Sequence, residues 1–248
     1  MAQALVQAAV DVQNPGTSVT VNSSDGWSTP STGNLILAVL GLAASVGTPS
    51  IDVTMSEAFS HTQGTNLATL GKFRVSTGSG ETAFVGSSSS SDNLRLIMAE
   101  FSGIANAVLS GTPVEEESTG TTSLGSGASY TAAKANTLVI SVCAIQGIPG
   151  GSGPAAPTGF TLATAQSNTR LHVAYKLDAA AGSYAPVWSW TNSLAAQVVT
   201  FGLVTFVPST VSAVASVPSP TVTSTSFMTS GPPFWSIWTA RLMDFSPG

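Results

Sequence analysis

Glu57 and His61, four residues apart, come nearest in this chain to an acid and a base spaced to work together. That spacing aligns two side chains only on a helix, and the segment around them, SEAFSHTQG at 56–64, reads as loop. The second histidine, His172, and the single cysteine, Cys143, complete a stock too small for a structural zinc site. Among the twelve carboxylates, a glycosidase pair could be drawn from Asp52, Glu57, Glu81 and Glu100 if the fold set two of them face to face. Nothing in their spacing selects two. Serine is abundant, yet no G-x-S-x-G, P-loop, strand-borne G-x-G-x-x-G, H-E-x-x-H or C-x-x-C occurs. The expectation is a protein that is not an enzyme and takes no cofactor and no metal.

Binding chemistry offers more. Trp188 and Trp190 alternate, so on a strand they share one face, where they could stack on a sugar ring or fill a core. They are the candidate glycan contacts of a carbohydrate-binding reading. Glu115-Glu116-Glu117 is the one run of charge; it reads as a solvated linker, since a cation would require further oxygen ligands. The seven basic residues, Lys72, Arg74, Arg95, Lys134, Arg170, Lys176 and Arg241, are scattered in a chain of net charge −5. No basic stripe faces phosphates, and no nucleic-acid partner is expected. Residues 1–10 lack a basic start and a long apolar centre, so they do not read as a signal peptide. The longest apolar stretch, 35–46, falls short of the roughly 20 residues that cross a bilayer, so no membrane partner is expected.

Positioning these groups falls to short strands. Apolar and β-branched runs bounded by Gly, Pro, Ser and Asn clusters recur along the chain, the pattern of an antiparallel sandwich or barrel. Strands are expected near 19–21, 35–43, 51–55, 67–75, 81–85 and 94–101, and again near 138–145, 160–165, 170–177, 185–190 and 195–206. The run 35–43 is almost unbroken apolar sequence, as a central strand covered on both faces requires. Cys143 lies in the matching run 138–145 and is expected in the core. In 70–75 the alternation puts Leu70 and Lys72 on one face, and Phe73 and Val75 on the core face. The Gly/Ser stretches 76–80 and 86–91 read as turns or loops.

These strands fall into two copies of one unit. TPSTGNLILAV at 29–39 returns as TAAKANTLVISV at 131–142, with Asn34 falling on Asn136, and further on Phe73 falls on Tyr175 and Phe101 on Phe206. A repeat of about a hundred residues is domain-sized, too long for one turn of a solenoid. The fold class expected is therefore all-β, with two tandem antiparallel β-sandwich (jelly-roll-like) domains and an extended C-terminal arm. The boundaries are a first module at 1–108, a linker at 109–125, a second module at 126–207 and the arm at 208–248. Only 8% of residues are charged, against about 25% in a typical soluble domain. A surface of hydroxyls and small residues has little charge to hold neighbours apart, which suits a chain packed in an assembly.

The arm is the unrepeated part. Its segment 211–226 is a Ser/Thr/Val/Pro tract with no core of its own, and 231–245 is densely aromatic. Phe234, Trp235, Ile237, Trp238, Arg241, Leu242 and Phe245 are the candidate partner-docking residues, because Trp and Arg are enriched at interface hot spots. The alternative is that this segment folds back and caps the second module.

The arrangement of GNLILAV, a KFRV or YKL strand, a Ser/Gly turn and a closing AEFSGI at 99–104 resembles β-sandwich modules of tailed-bacteriophage structural proteins. Head decoration proteins, head fibres and minor tail proteins are among them. The resemblance covers roughly residues 1–207. It implies a virion structural protein, assembled in the host cytoplasm, homo-oligomeric, and bound to capsid or tail proteins without catalytic residues. A receptor- or glycan-binding module of a tail or fibre is the alternative.

Overall fold

Nine consecutive buried residues, Leu35–Ala43, form the strand at the centre of the first module. Apolar side chains on both faces can be buried only if protein covers the strand on both sides, and two different cores do so. The computed structural model describes residues 2–43, 47–52, 54–125, 127–147, 153–164 and 170–205, all within one compact unit, Met1–Pro208. The expected arm at 208–248, with Phe234, Trp235, Ile237, Trp238, Arg241, Leu242 and Phe245, lies outside the described residues, as does Phe206.

The described residues build an all-β protein. The first module holds β1 (Ala4–Val21), β2 (Leu35–Ala43), β3 (Pro49–Ile51), β4 (Ser56–Gln63), β5 (Leu67–Val75) and β6 (Phe84–Ser102). The second holds β7 (Ala107–Leu109), β8 (Val114–Gly125), β9 (Tyr130–Ala132), β10 (Thr137–Ile145), β11 (Thr161–Leu162), β12 (Leu171–Ala179), β13 (Gly182–Tyr184) and β14 (Val187–Thr205). Each contributes one six-stranded sheet, β1-β6-β2-β5-β4 with β3 also on β6, and β11-β12-β10-β14-β7 with β8 also on β14. All the pairings are antiparallel.

The two strand orders are the same order. β6 answers to β14, β2 to β10, β5 to β12 and β4 to β11, while β7 and β8 together run along β14 as β1 runs along β6. The duplicated unit thus spans 4–102 and 107–205, displaced by 103 residues at both ends, from 4 to 107 and from 102 to 205. The segment 109–125, expected as a linker, carries β8. Its register sets Glu115, Glu116 and Glu117 opposite Val199, Val198 and Gln197. An edge strand with most of its side chains in solvent has no apolar period to betray it.

Each sheet is folded over on itself, which makes each module a sandwich. In β2, Leu40 stands opposite Leu96 of β6, yet a Cβ added to Gly86, ten residues earlier on that same strand, would lie 2.8 Å from Leu40 Cδ1. The first half of β6 therefore crosses above the strand that its second half pairs with. β14 does likewise: Ser141 stands opposite Thr200 and accepts a 2.9 Å hydrogen bond from Nε1 of Trp188. Register shifts between Gln13 and Ser18 in β1, and between Ser189 and Ala196 in β14, mark the bends, where extra residues let a strand turn sharply. The Gly/Ser run 86–91, expected as loop, is the small-residue half of β6, since anything larger than Gly86 would collide with Leu40.

The fold of the first sheet encloses Trp27, Ile36, Ala38, Leu40, Leu42, Phe84 and Leu96. The second encloses Cys143, Trp188, Trp190 and Val198. Between the modules lies a third core, to which each supplies ten buried residues, among them Leu37, Phe59, Ile97 and Phe101 from one side, and Ile140, Val173, Phe201 and Leu203 from the other. A buried Leu, Ile or Phe side chain contributes about 1.5–3 kcal/mol, so this shared core outweighs the few hydrogen bonds that also cross between modules.

The register also adjusts the repeat. Leu35 stands opposite Phe101 as Leu138 stands opposite Leu203, so the counterpart of Phe101 is Leu203 rather than Phe206. Two residues before those leucines, Gly33 and Asn136 both take a left-handed conformation, at φ 85° and 57°. Asparagine is among the few residues other than glycine that tolerate it, so Asn136 stands in the place of Gly33, and Thr137 in that of Asn34. The pairing of Phe73 with Tyr175 holds, as these residues stand opposite Leu37 and Ile140.

Candidate functional site

The carboxylates named as a possible catalytic pair are held apart by separate structural duties. Glu100, 1% exposed, accepts hydrogen bonds from Gln7 Nε2 at 2.6 Å, Ser31 N at 2.9 Å and Asn34 Nδ2 at 2.6 Å. It pins the 28–34 loop to the sheet. Glu81 is also buried and is paired with Arg74 at 2.9 Å. Arg74 reaches on to Thr54 Oγ1 at 2.6 Å and lies over the Phe84 ring, its guanidinium carbon 5.3 Å from the centroid. Thr54 in turn donates to Asp52 through both its amide and its hydroxyl. The amide bond from Thr54 is the main cause of the lowered pKa of Asp52, with Arg74 and Lys72 adding to it. Glu57 is exposed on β4, opposite Lys72. No two of the four face each other across a cleft.

The segment 56–64, expected as loop, is the edge strand β4, broken by a register shift between Glu57 and Phe59. Its alternation is hidden because its exposed side chains are Ser, Glu and Thr. The partners of His61 are not Glu57 but two glutamates of the other module. Nδ1 lies 2.7 Å from Glu115 Oε2, and Nε2 lies 3.1 Å from Glu117 Oε2. A glutamate oxygen of the second module thus lies at each of the two ring nitrogens. Beside it Gln63 donates to Ser118 O at 3.0 Å, Gln146 to Asn66 Oδ1 at 3.0 Å and Gln197 to Thr69 Oγ1 at 2.9 Å. This is a polar seam joining the two modules, and Glu115 and Glu117 of the charge run, expected as a solvated linker, belong to it.

Trp188 and Trp190 share a face, but that face is the inner one. Trp188 is fully buried and Trp190 is 7% exposed; their indole nitrogens donate to Ser141 Oγ and to Thr121 O, each at 2.9 Å. Neither ring can stack on a sugar. Folding β14 over β10 turns its first half inward, a bend that alternation alone does not reveal.

Cys143 is buried as expected, and burial pushes its thiol well above the usual range. Only a thiolate attacks a disulfide or alkylating reagent. Native protein should therefore leave a chromogenic thiol reagent unreacted, while denatured protein consumes one equivalent; fast native labelling would contradict this burial.

Two surface clefts flank the end of β14. One, of about 550 Å³, is lined by Gln3, Gly103, Lys134, Asn136, Asp178 and Thr205. Gln3 closes its floor, donating to Asn136 O at 2.7 Å and accepting from Asp178 N at 2.8 Å. The other, of about 370 Å³, shares Gly103 and Thr205. Among the described residues no three His, Cys, Asp or Glu side chains gather as a metal site. A pair that sequence spacing could not have disclosed is Arg95 with Arg170, brought together from different modules.

The fold is that of a two-module antiparallel β-sandwich protein, in which the buried carboxylates Glu81 and Glu100 bind neighbouring loops and strands. Comparison with protein families, with curated proteins and with solved structures finds no match.

Proposed function

We propose that this chain is a virion structural protein, a capsid decoration or head-fibre protein that attaches to other virion proteins through its C-terminal arm and sandwich faces. The observation that carries this reading is the use made of the buried ionisable groups. Glu81, Asp92 and Glu100 hold loops and strands in place, in a scaffold built by duplication and locked by a shared core. A rigid, charge-poor body of this kind supplies buried area and a fixed outline for assembly. The resemblance of its strand pattern to phage head and tail modules points the same way. On this reading the aromatic segment supplies the adhesive, with Trp235, Trp238 and Arg241 as anchors in a partner's pockets. Homo-oligomers on a capsid or tail lattice are the expected assembly.

Deleting residues 231–248 tests it. Particles assembled with the shortened chain should retain about a thousandfold less of it after sedimentation, which corresponds to the loss of two hot-spot residues of about 2 kcal/mol each. Retention equal to that of the full chain would rule out the arm as the anchor.

A further inference from the structure

Arg95 is the least compensated charge among the described residues. It stands on β6 facing the second module, 6% exposed. Its Nη1 donates to Asn14 Oδ1 at 2.7 Å and to Leu94 O at 3.1 Å, both neutral acceptors, and its Nε has no partner. Arg170, immediately before β12, adds a second positive charge. Burial first, and Arg170 second, lower the pKa of Arg95 to about 10, so the guanidinium keeps its charge at neutral pH.

No carboxylate of the described chain offsets this pair. Glu81 is taken by Arg74, Glu115 and Glu117 by His61, and Glu100 by Gln7, Ser31 and Asn34. Asp92, the nearest in sequence to Arg95, accepts from the amides of Gly47 and Asn93. The stretches 44–46 and 165–169, which adjoin the site in sequence, contain no acidic residue. Removing the partner of a buried charge typically costs about 3–5 kcal/mol, and among the described residues Arg95 has only the neutral acceptors Asn14 and Leu94.

We propose that Arg95 and Arg170 form a binding site for a small oxyanion, of the phosphate or sulfate type, at the seam between the two modules. Guanidinium groups present paired N–H donors that match such oxygens. Arg95 is the fixed half, held by Asn14 and Leu94. Arg170 is the less tightly held half: among the described residues it makes a 3.5 Å contact to Ala43 O, an oxygen that Asn93 Nδ2 already engages at 2.7 Å. The gap between the two, walled by Gly41, Leu67, Ala144 and Leu171, does not admit a water-sized sphere. The anion therefore enters as Arg170 swings outward, and bridges the two modules once bound.

Thermal unfolding of the full chain in sodium phosphate, sodium sulfate and sodium acetate, each against chloride of equal ionic strength, tests the site. At tenfold excess over its Kd the bound anion should raise Tm by about 3–6 °C. Arg170→Gln should abolish the rise, Arg170→Lys should weaken it by removing the paired donors, and Lys176→Gln, on β12, should retain it. A rise with acetate alone would assign the site to carboxylates rather than to tetrahedral oxyanions. An equal rise in Arg170→Gln, or none beyond chloride in the wild-type chain, would overturn the proposal.

Discussion

Phe201→Ala should lower the unfolding free energy by about 3–5 kcal/mol, the range for removing a large side chain from a packed core, and should do so in both modules at once. Phe201 is fully buried in the core the two modules share, its ring centroid 5.4 Å from that of Phe59 across the interface. Gly71 lies beneath Phe59, where a Cβ would collide with the ring, so little nearby can move into the space left behind. Native-state hydrogen exchange distinguishes this from two independent sandwiches. Amides of β2 in the first module should lose protection together with those of β10 in the second. Loss confined to β10 would mean that the shared core does not couple them.

Glu100→Ala should cost about 3–5 kcal/mol in urea unfolding. The carboxylate is buried and serves three donors, Gln7 Nε2, Ser31 N and Asn34 Nδ2. Each donor left without an acceptor in the interior costs about 1–3 kcal/mol. Ser31 is exposed and Asn34 half-buried, so water can reach part of the gap, which keeps the sum in the lower part of the range. Glu100→Gln keeps the volume and one acceptor oxygen, and should lose about half as much. Equal losses for the two variants would show that packing, rather than the hydrogen bonds, is what Glu100 supplies.

Strands buried on both faces were plain in the sequence, and strands open to solvent were not. Leu35–Ala43 and Leu67–Val75 can be read to the residue because every second side chain, or every one, must be apolar. β4 and β8 escape because an edge strand has few such demands, and Ser, Glu and Thr satisfy it. The expected strands near 81–85 and 94–101 prove to be the two ends of the single bent strand β6. A serine-rich middle reads as loop, although small residues are what close packing over Leu40 requires. Contacts between modules were beyond reach for another reason. His61 meets Glu115 and Glu117, and Arg95 approaches Arg170, across 54 residues or more of chain, and no local spacing encodes such pairings. The same holds for Trp188 and Trp190: alternation gave their common side, but only the fold-over of β14 decides that the side is dry.

β14 pairs with β10 along one side from Ala196 to Leu203 and with β8 and β7 along the other, so its second half lies between bonded neighbours on both flanks. It is also the last described strand, and residues 206–248 continue the chain from its end. A pull on Thr205 directed along the axis of β14 would act at right angles to its ladder bonds. The load would fall on both rows of bonds together, in shear, instead of opening them one at a time from an edge. Rupture under force follows the unfolding rate rather than the equilibrium stability, and a tether attached to a doubly bonded inner strand is the arrangement that keeps that rate low.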